Sequence, residues 1–213
     1  YADDNGGKYV GNYHGGFVPG ANAVERPWAT GWLDWSTSPD NTNTTYLLNP
    51  RYSALAPYLT GDASVFRCPA DEFLSPIQLS RGWIARARSY SLSAAFGEGN
   101  ASTGPINPAM LQVTRNSGFG NLSPQRAFVF LEEHPDSLND PLFFCPSTTQ
   151  ILVDWPGSLH EGAALFTFAD GHLELHRWQS PQIAVPVKFV FPATVPLPSN
   201  PDLRWLLEHT PMK

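Results

Sequence analysis

The run from Ala163 to Trp178 constrains the fold of this chain more than any other segment. It reads Ala-Ala-Leu-Phe-Thr-Phe-Ala, then Asp170-Gly171, then His-Leu-Glu-Leu-His-Arg-Trp. Two such stretches joined by Asp-Gly predict a β-hairpin, because a two-residue type I′ turn needs positive φ at both central positions. Pairing outward from that turn sets Phe168 opposite Leu173 and Phe166 opposite Leu175, so one face is wholly apolar. Thr167 then faces Glu174, and Leu165 faces His176, on a more polar second face. A slip of one residue would mix the two faces.

The other segments are read around this hairpin. Ala127–Leu131 is a continuous apolar run and predicts a strand buried on both faces. Ser89–Phe96, ending at Gly97, predicts another strand, and Leu142–Cys145 a shorter one. Residues 8–64 carry Gly, Pro and Asn punctuation and read as loops with short elements. Within them, Arg51–Leu59 suggests a short helix leading into Val65–Cys68. From Pro181 to Pro198 prolines alternate with Val, Ile and Phe, which predicts an extended tail along a sheet edge. Asn200-Pro201-Asp202 supplies an N-cap, a proline at the first helical position and an acid in the first turn, so a helix is expected over Leu203–His209. Residues 1–7 read as the end of a helix capped by Gly6 or Gly7, with Asp3 and Asp4 as turn formers or ion ligands. The sequence is therefore expected to begin downstream of a longer element.

With 213 residues and 42% hydrophobic composition, the chain reads as one domain, residues 1–213. Its 21 prolines and 15% charged residues suggest a loop-rich extracytoplasmic domain. The net charge of −6 disfavours nucleic acid and anionic membranes, which are bound through clustered Lys and Arg. The best basic group, Arg81, Arg86 and Arg88, reads as a solvated surface. No apolar run approaches the roughly 20 residues of a membrane-spanning helix.

Several groups could carry chemistry. Cys68 and Cys145, each followed by proline, form no Cys-x-x-Cys pair, which argues against a zinc ribbon or a thioredoxin-type site. They are either a disulfide or two buried thiols. Trp28, Trp32 and Trp35 form either an aromatic sugar platform or core packing, and packing is favoured by the area they bury. Glu132, Glu133, Asp136, Asn139 and Asp140 gather oxygen ligands suited to calcium, against the simpler reading of an acidic turn. His160 and Asp170 are not expected to share a metal, because a straight strand over 163–169 puts its ends roughly 20 Å apart. No nucleophile elbow, phosphate loop or His-Glu-x-x-His motif is present, so no catalytic residue is expected.

His160, nine residues, then Asp170-Gly171 resembles the C-terminal signature of a large family of bacterial pseudopilin-like proteins, type IV pilin-like subunits. Pro156-Gly157-Ser158-Leu159 is similar to the small-residue turn that leads into that histidine. Tyr1–Gly7, Phe66-Arg67-Cys68-Pro69-Ala70-Asp71, Arg88-Ser89-Tyr90-Ser91 and Glu133-His134-Pro135-Asp136-Ser137 also resemble family segments, so the likeness touches most of the chain in islands. Pro141 stands after Asn139-Asp140 where the family pattern has glycine. The resemblance implies an α+β pilin-like head, with an N-terminal helix stump packed on an antiparallel sheet, and a non-catalytic structural role. It further implies a subunit of a type II secretion or type IV pilus-like filament, located in the periplasm or outside the cell. Its expected partners are other pseudopilins, secretion-system subunits and secreted cargo, with membrane contact only through a preceding helix. Calcium is the cofactor that analogy with such heads suggests. Two rival functions are a secreted carbohydrate-binding module resting on the three tryptophans and a metal-dependent hydrolase resting on the scattered His and Glu.

Overall fold

The frequent prolines and glycines break this chain into short strands and shorter helices. The computed structural model describes residues 1–99, 110–144 and 151–213. Its helices are α1 (Thr45–Leu48), α2 (Pro76–Ser80) and α3 (Pro201–Glu208). The strands are β1 (Tyr90–Ser93), β2 (Phe128–Glu132), β3 (Leu142–Phe143), β4 (Ile151–Leu152), β5 (Ala163–Phe168), β6 (Leu173–Arg177) and β7 (Val195–Pro196). Five of them form one sheet in the order β3-β1-β2-β5-β6, and β4 pairs with β7 in a second, two-stranded sheet. The class is α+β. The main sheet is mixed, not purely antiparallel, because β3 runs parallel to β1.

β2 lies at the centre, paired with β1 on one side and β5 on the other. Its register with β5 shifts between Phe128 and Phe130. The Phe130 N–H there donates to Thr167 Oγ1 (3.1 Å) in place of a ladder carbonyl. On one face of the sheet Phe166 meets Phe128, Trp178 and Trp205 edge to face. α3 covers this face, burying Leu203 and Leu206 and stacking Trp205 on His176. The helix starts where its cap predicts, with the Asn200 side chain accepting from the N–H groups of Asp202 and Leu203.

The opposite face of the sheet is less covered. Trp28, buried and set edge to face against Phe130, closes part of it. Between Trp28, Leu55, Phe66, Tyr90, Phe130 and Leu165 lies an apolar groove of about 300 Å³. A neighbouring groove of about 310 Å³ reaches Tyr1, Val129 and Thr167.

The hairpin forms, but its register is one residue away from the expected one. Phe168 pairs with His172, donating its N–H to the His172 carbonyl (3.0 Å). The Gly171 N–H donates to the Phe168 carbonyl (2.9 Å), and Gly171 takes φ 92°. The loop is thus the three residues Ala169-Asp170-Gly171, with glycine at the left-handed position. Leu165 faces Leu175 and Thr167 faces Leu173, while Phe166 faces Glu174 and Ala164 faces His176. No face is wholly apolar. Packing of α3 explains the choice: it holds Ala164, Phe166 and Phe168 inward, and β6, at the sheet edge, keeps its leucines outward at 63% and 55% exposure.

Other expectations also change. The helix read over 51–59 is a single 3-10 turn at Ala56–Tyr58, with Pro57 among its first residues, and α1 precedes it. α2, with its Ser75–Gln78 capping box, was not expected. The proline-rich tail joins β4 through β7 and does not run along the main sheet. The helix stump is one 3-10 turn, Asp3–Asn5, ended by Gly6 at φ 64°. Arg86 and Arg88 are not a solvated surface: both are buried. Arg88 donates to the Tyr90 and Asn139 carbonyls and to Ser91 Oγ, and Arg86 lies 4.1 Å over the Trp35 ring.

Candidate functional site

Three distant segments deliver one side chain each to a single point beside the main sheet. Glu132 ends β2, and its side chain lies on the same face of the sheet as Tyr90, its cross-strand partner. Cys68 follows the 3-10 turn Ala63–Phe66, where Pro69 turns the chain and the Ala70 N–H donates back to Sγ (3.4 Å). His160 sits in the turn before β5, closed by reciprocal bonds between His160 and Ala163 and by left-handed Glu161 and Gly162. Gly157 lets this turn approach the strand: its N–H donates to the Glu132 carbonyl (2.7 Å), and a Cβ there would stand 3.1 Å from Glu132.

The three side chains converge. His160 Nε2 lies 2.8 Å from Glu132 Oε1 and 3.4 Å from Cys68 Sγ, and the three atoms lie within 4.8 Å of one another. Glu132 Oε2 is occupied separately, accepting from the Leu165 N–H (2.9 Å). Cys68 and Glu132 are buried, while the His160 side chain is 35% exposed. Burial and the Glu132 carboxylate push the Cys68 thiol up to about 12, so it is protonated at neutral pH. Burial, with Glu132 and Cys68 adding to it, likewise raises the neighbouring Tyr90 hydroxyl.

The contacts differ from those of a nucleophile–base–orienter relay. In such a relay the imidazole uses one nitrogen for the nucleophile and the other for the acid. Here sulfur and carboxylate meet the same nitrogen, and the thiol is held neutral rather than activated. Convergence on one point is a geometry that could hold a metal ion.

The residues singled out from the sequence fall in other places. Glu132, the last residue of β2, turns to His160, and Glu133, just beyond the strand, accepts from the Ser91 and Ser137 hydroxyls. The proposed calcium ligands Glu132, Glu133, Asp136, Asn139 and Asp140 do not gather into one group with metal-ligand spacing. Asp136 accepts from Trp35 Nε1 and the Lys188 N–H, and Asp140 from the Gly15 and Leu142 N–H groups. Asn139 Oδ1 accepts from the Asp140 N–H. Among the described residues, Cys68, Glu132 and His160 are the one group of three with metal-ligand spacing. His160 contacts Glu132 and Asp170 contacts His172 (2.6 Å), at opposite ends of β5, and Gly171 closes the turn. Cys68 is a free thiol, and Cys145 lies outside the described residues. Trp28 is buried in the core, Trp35 packs between Arg86 and Phe189, and Trp32 is partly exposed, so no three-ring platform exists.

Cys68, Glu132 and His160 each stand out in the sequence, but nothing there joins them. Their separation in the chain carries no periodic signal; only the Cys-Pro turn and the glycine before His160 marked the places where the backbone comes close.

Comparison of the chain with protein-family models, with curated proteins and with solved structures finds no match.

Proposed function

We propose that this chain is the head of a pseudopilin-like subunit, a non-catalytic structural component of a type II secretion or type IV pilus-like filament outside the inner membrane. The observation that carries this reading is the open apolar side of the main sheet. Its grooves are lined by Leu55, Val129, Phe130 and Leu165, Tyr1 lines the second of them, and Leu173 and Leu175 extend the same face. A helix arriving ahead of Tyr1 would find its packing surface there, and such a helix is what a filament subunit uses to assemble. The ordered set of resemblances, from Tyr1–Gly7 through Cys68-Pro69 to His160 and Asp170-Gly171, supports the same class. Partners on this reading are other pseudopilins, secretion-system subunits and cargo.

The test is the coding sequence ahead of Tyr1, followed by expression with it. The reading expects about 20 apolar residues there, and cofractionation with filaments that is lost when Leu173 and Leu175 become lysine. A filament fraction that never contains the protein would overturn it. A metal-dependent hydrolase is the second reading, favoured by the convergence of Cys68, Glu132 and His160. It requires a turnover that metal removal abolishes.

A further inference from the structure

We propose that Cys68, Glu132 and His160 form a binding site for a divalent cation of the zinc class, with a fourth position open to solvent beside His160. The inference does not depend on the filament reading, since it rests only on side-chain geometry and donor chemistry.

Two of the three ligand separations lie close to those a tetrahedral ion needs. Tetrahedral zinc, with bonds of about 2.0 Å to nitrogen and 2.3 Å to sulfur, holds those two atoms about 3.5 Å apart. Cys68 Sγ and His160 Nε2 already stand 3.4 Å apart. Nitrogen and a carboxylate oxygen on the same ion are separated by about 3.3 Å, so the 2.8 Å contact between His160 and Glu132 has to open by roughly half an ångström. His160 is half-buried at the surface and can supply that movement; Glu132 is held by the Leu165 N–H.

The donor set is selective. A thiolate and an imidazole favour zinc over calcium and magnesium, which prefer oxygen. Binding releases the Cys68 thiol proton to solvent, and the Nε2 lone pair takes the place of an Nε2 hydrogen, leaving the imidazole proton on Nδ1. One thiolate and one carboxylate then neutralise the ion, so no net charge is buried. Supporting bonds are in place: the Ala70 N–H to Sγ and the Leu165 N–H to Oε2 hold the two side chains, with Oε1 turned toward His160.

The experiment uses the full chain carrying Cys145→Ser, so that Cys68 is its sole thiol, treated with chelator and then titrated with zinc or cobalt(II). One equivalent of zinc is expected to bind, and cobalt is expected to give a thiolate-to-metal charge-transfer band with the intense visible bands of tetrahedral geometry. Cys68→Ser should abolish the charge-transfer band. His160→Ala and Glu132→Gln should weaken zinc by more than the roughly 10–100-fold that outer-shell changes cost. Should these variants fail to fold, alkylation of Cys68 in the parent chain decides, with zinc expected to slow it at least tenfold. Cobalt binding without a thiolate band, or alkylation unchanged by zinc, would overturn the site.

Discussion

Replacing Leu175 by lysine separates the observed hairpin register from the one that the Asp-Gly turn suggests. Across β5 and β6, Leu175 faces Leu165 on the open side of the sheet and is 55% exposed. A lysine there keeps its ammonium in water and lays its methylenes along Leu165. The cost in the isolated chain should stay within about 0.5 kcal/mol, as for most surface substitutions. With a two-residue turn, Leu175 would instead face Phe166, which is fully buried among Phe128, Trp178 and Trp205. An ammonium forced into that position would cost several kcal/mol. Truncating Phe166 itself to alanine sets the scale, at about 3–5 kcal/mol. For a chain of this size each kcal/mol moves Tm by roughly 2–4 °C. Thermal melts followed by near-ultraviolet circular dichroism should thus show Leu175→Lys within about 2 °C of the parent and Phe166→Ala lower by roughly 6–20 °C. A Leu175→Lys chain that melts as low as Phe166→Ala would refute the register and the account of α3 as its cause.

Further tests address other parts of the fold. Burial raises the Asp154 carboxyl well above the ordinary carboxylate range, with Glu133 and Asp140 adding to it, and Asp140 itself is raised by burial. In the folded chain these groups keep protons that the unfolded chain has lost, so they favour folding fully below about pH 4 and lose that contribution as pH rises through their folded values. Asp154→Asn preserves the acceptor for the Phe144 N–H, and chemical denaturation should show it gaining stability over the parent at pH 8 relative to pH 4.5; an equal difference at both would count against the burial argument. Gly97→Ala drives a methyl into the Val10 carbonyl oxygen at φ +77°. The cost should exceed the roughly 1–3 kcal/mol of left-handed backbone alone, and a urea midpoint like the parent's would show that the contact relaxes. Asn200→Ala removes the α3 cap and should cost about 1 kcal/mol, read from the same urea curves.

Much of the local structure was legible in the sequence. α3 was readable because its start signals lie within three residues, Asn200-Pro201-Asp202, and the apolar run at 127–131 announced β2, although Val129 and Phe130 line its open face and the strand is not buried on both. What failed was whatever depended on distant partners. The hairpin was visible but its register was not, since the choice between turn lengths is made by α3 some 30 residues on, pressing on Phe166. Arg86 and Arg88 looked solvated because their partners, Trp35, Asp71 and the Asn139 carbonyl, come from other loops. The acidic run at 132–140 looked like one ion site, yet separate hydrogen-bond donors scatter it. The Cys68–Glu132–His160 convergence is non-local in the same way, and no spacing rule reveals it.

The parallel pairing of β3 with β1 bears on how the chain reaches this state. Leu92 pairs with Leu142, Leu92 also with Phe130, and Leu131 with Phe166, so most of the sheet joins residues far apart in the chain. Among the described strands, only β5 and β6 can meet by a short loop closure. The hairpin should zip within microseconds, while the remaining ladders wait for costly long-range closures and fold on the millisecond-to-second scale. Throughout that wait the apolar edge of β2 is unpaired, which makes the interval before β1 docks the period when this chain is most exposed to aggregation.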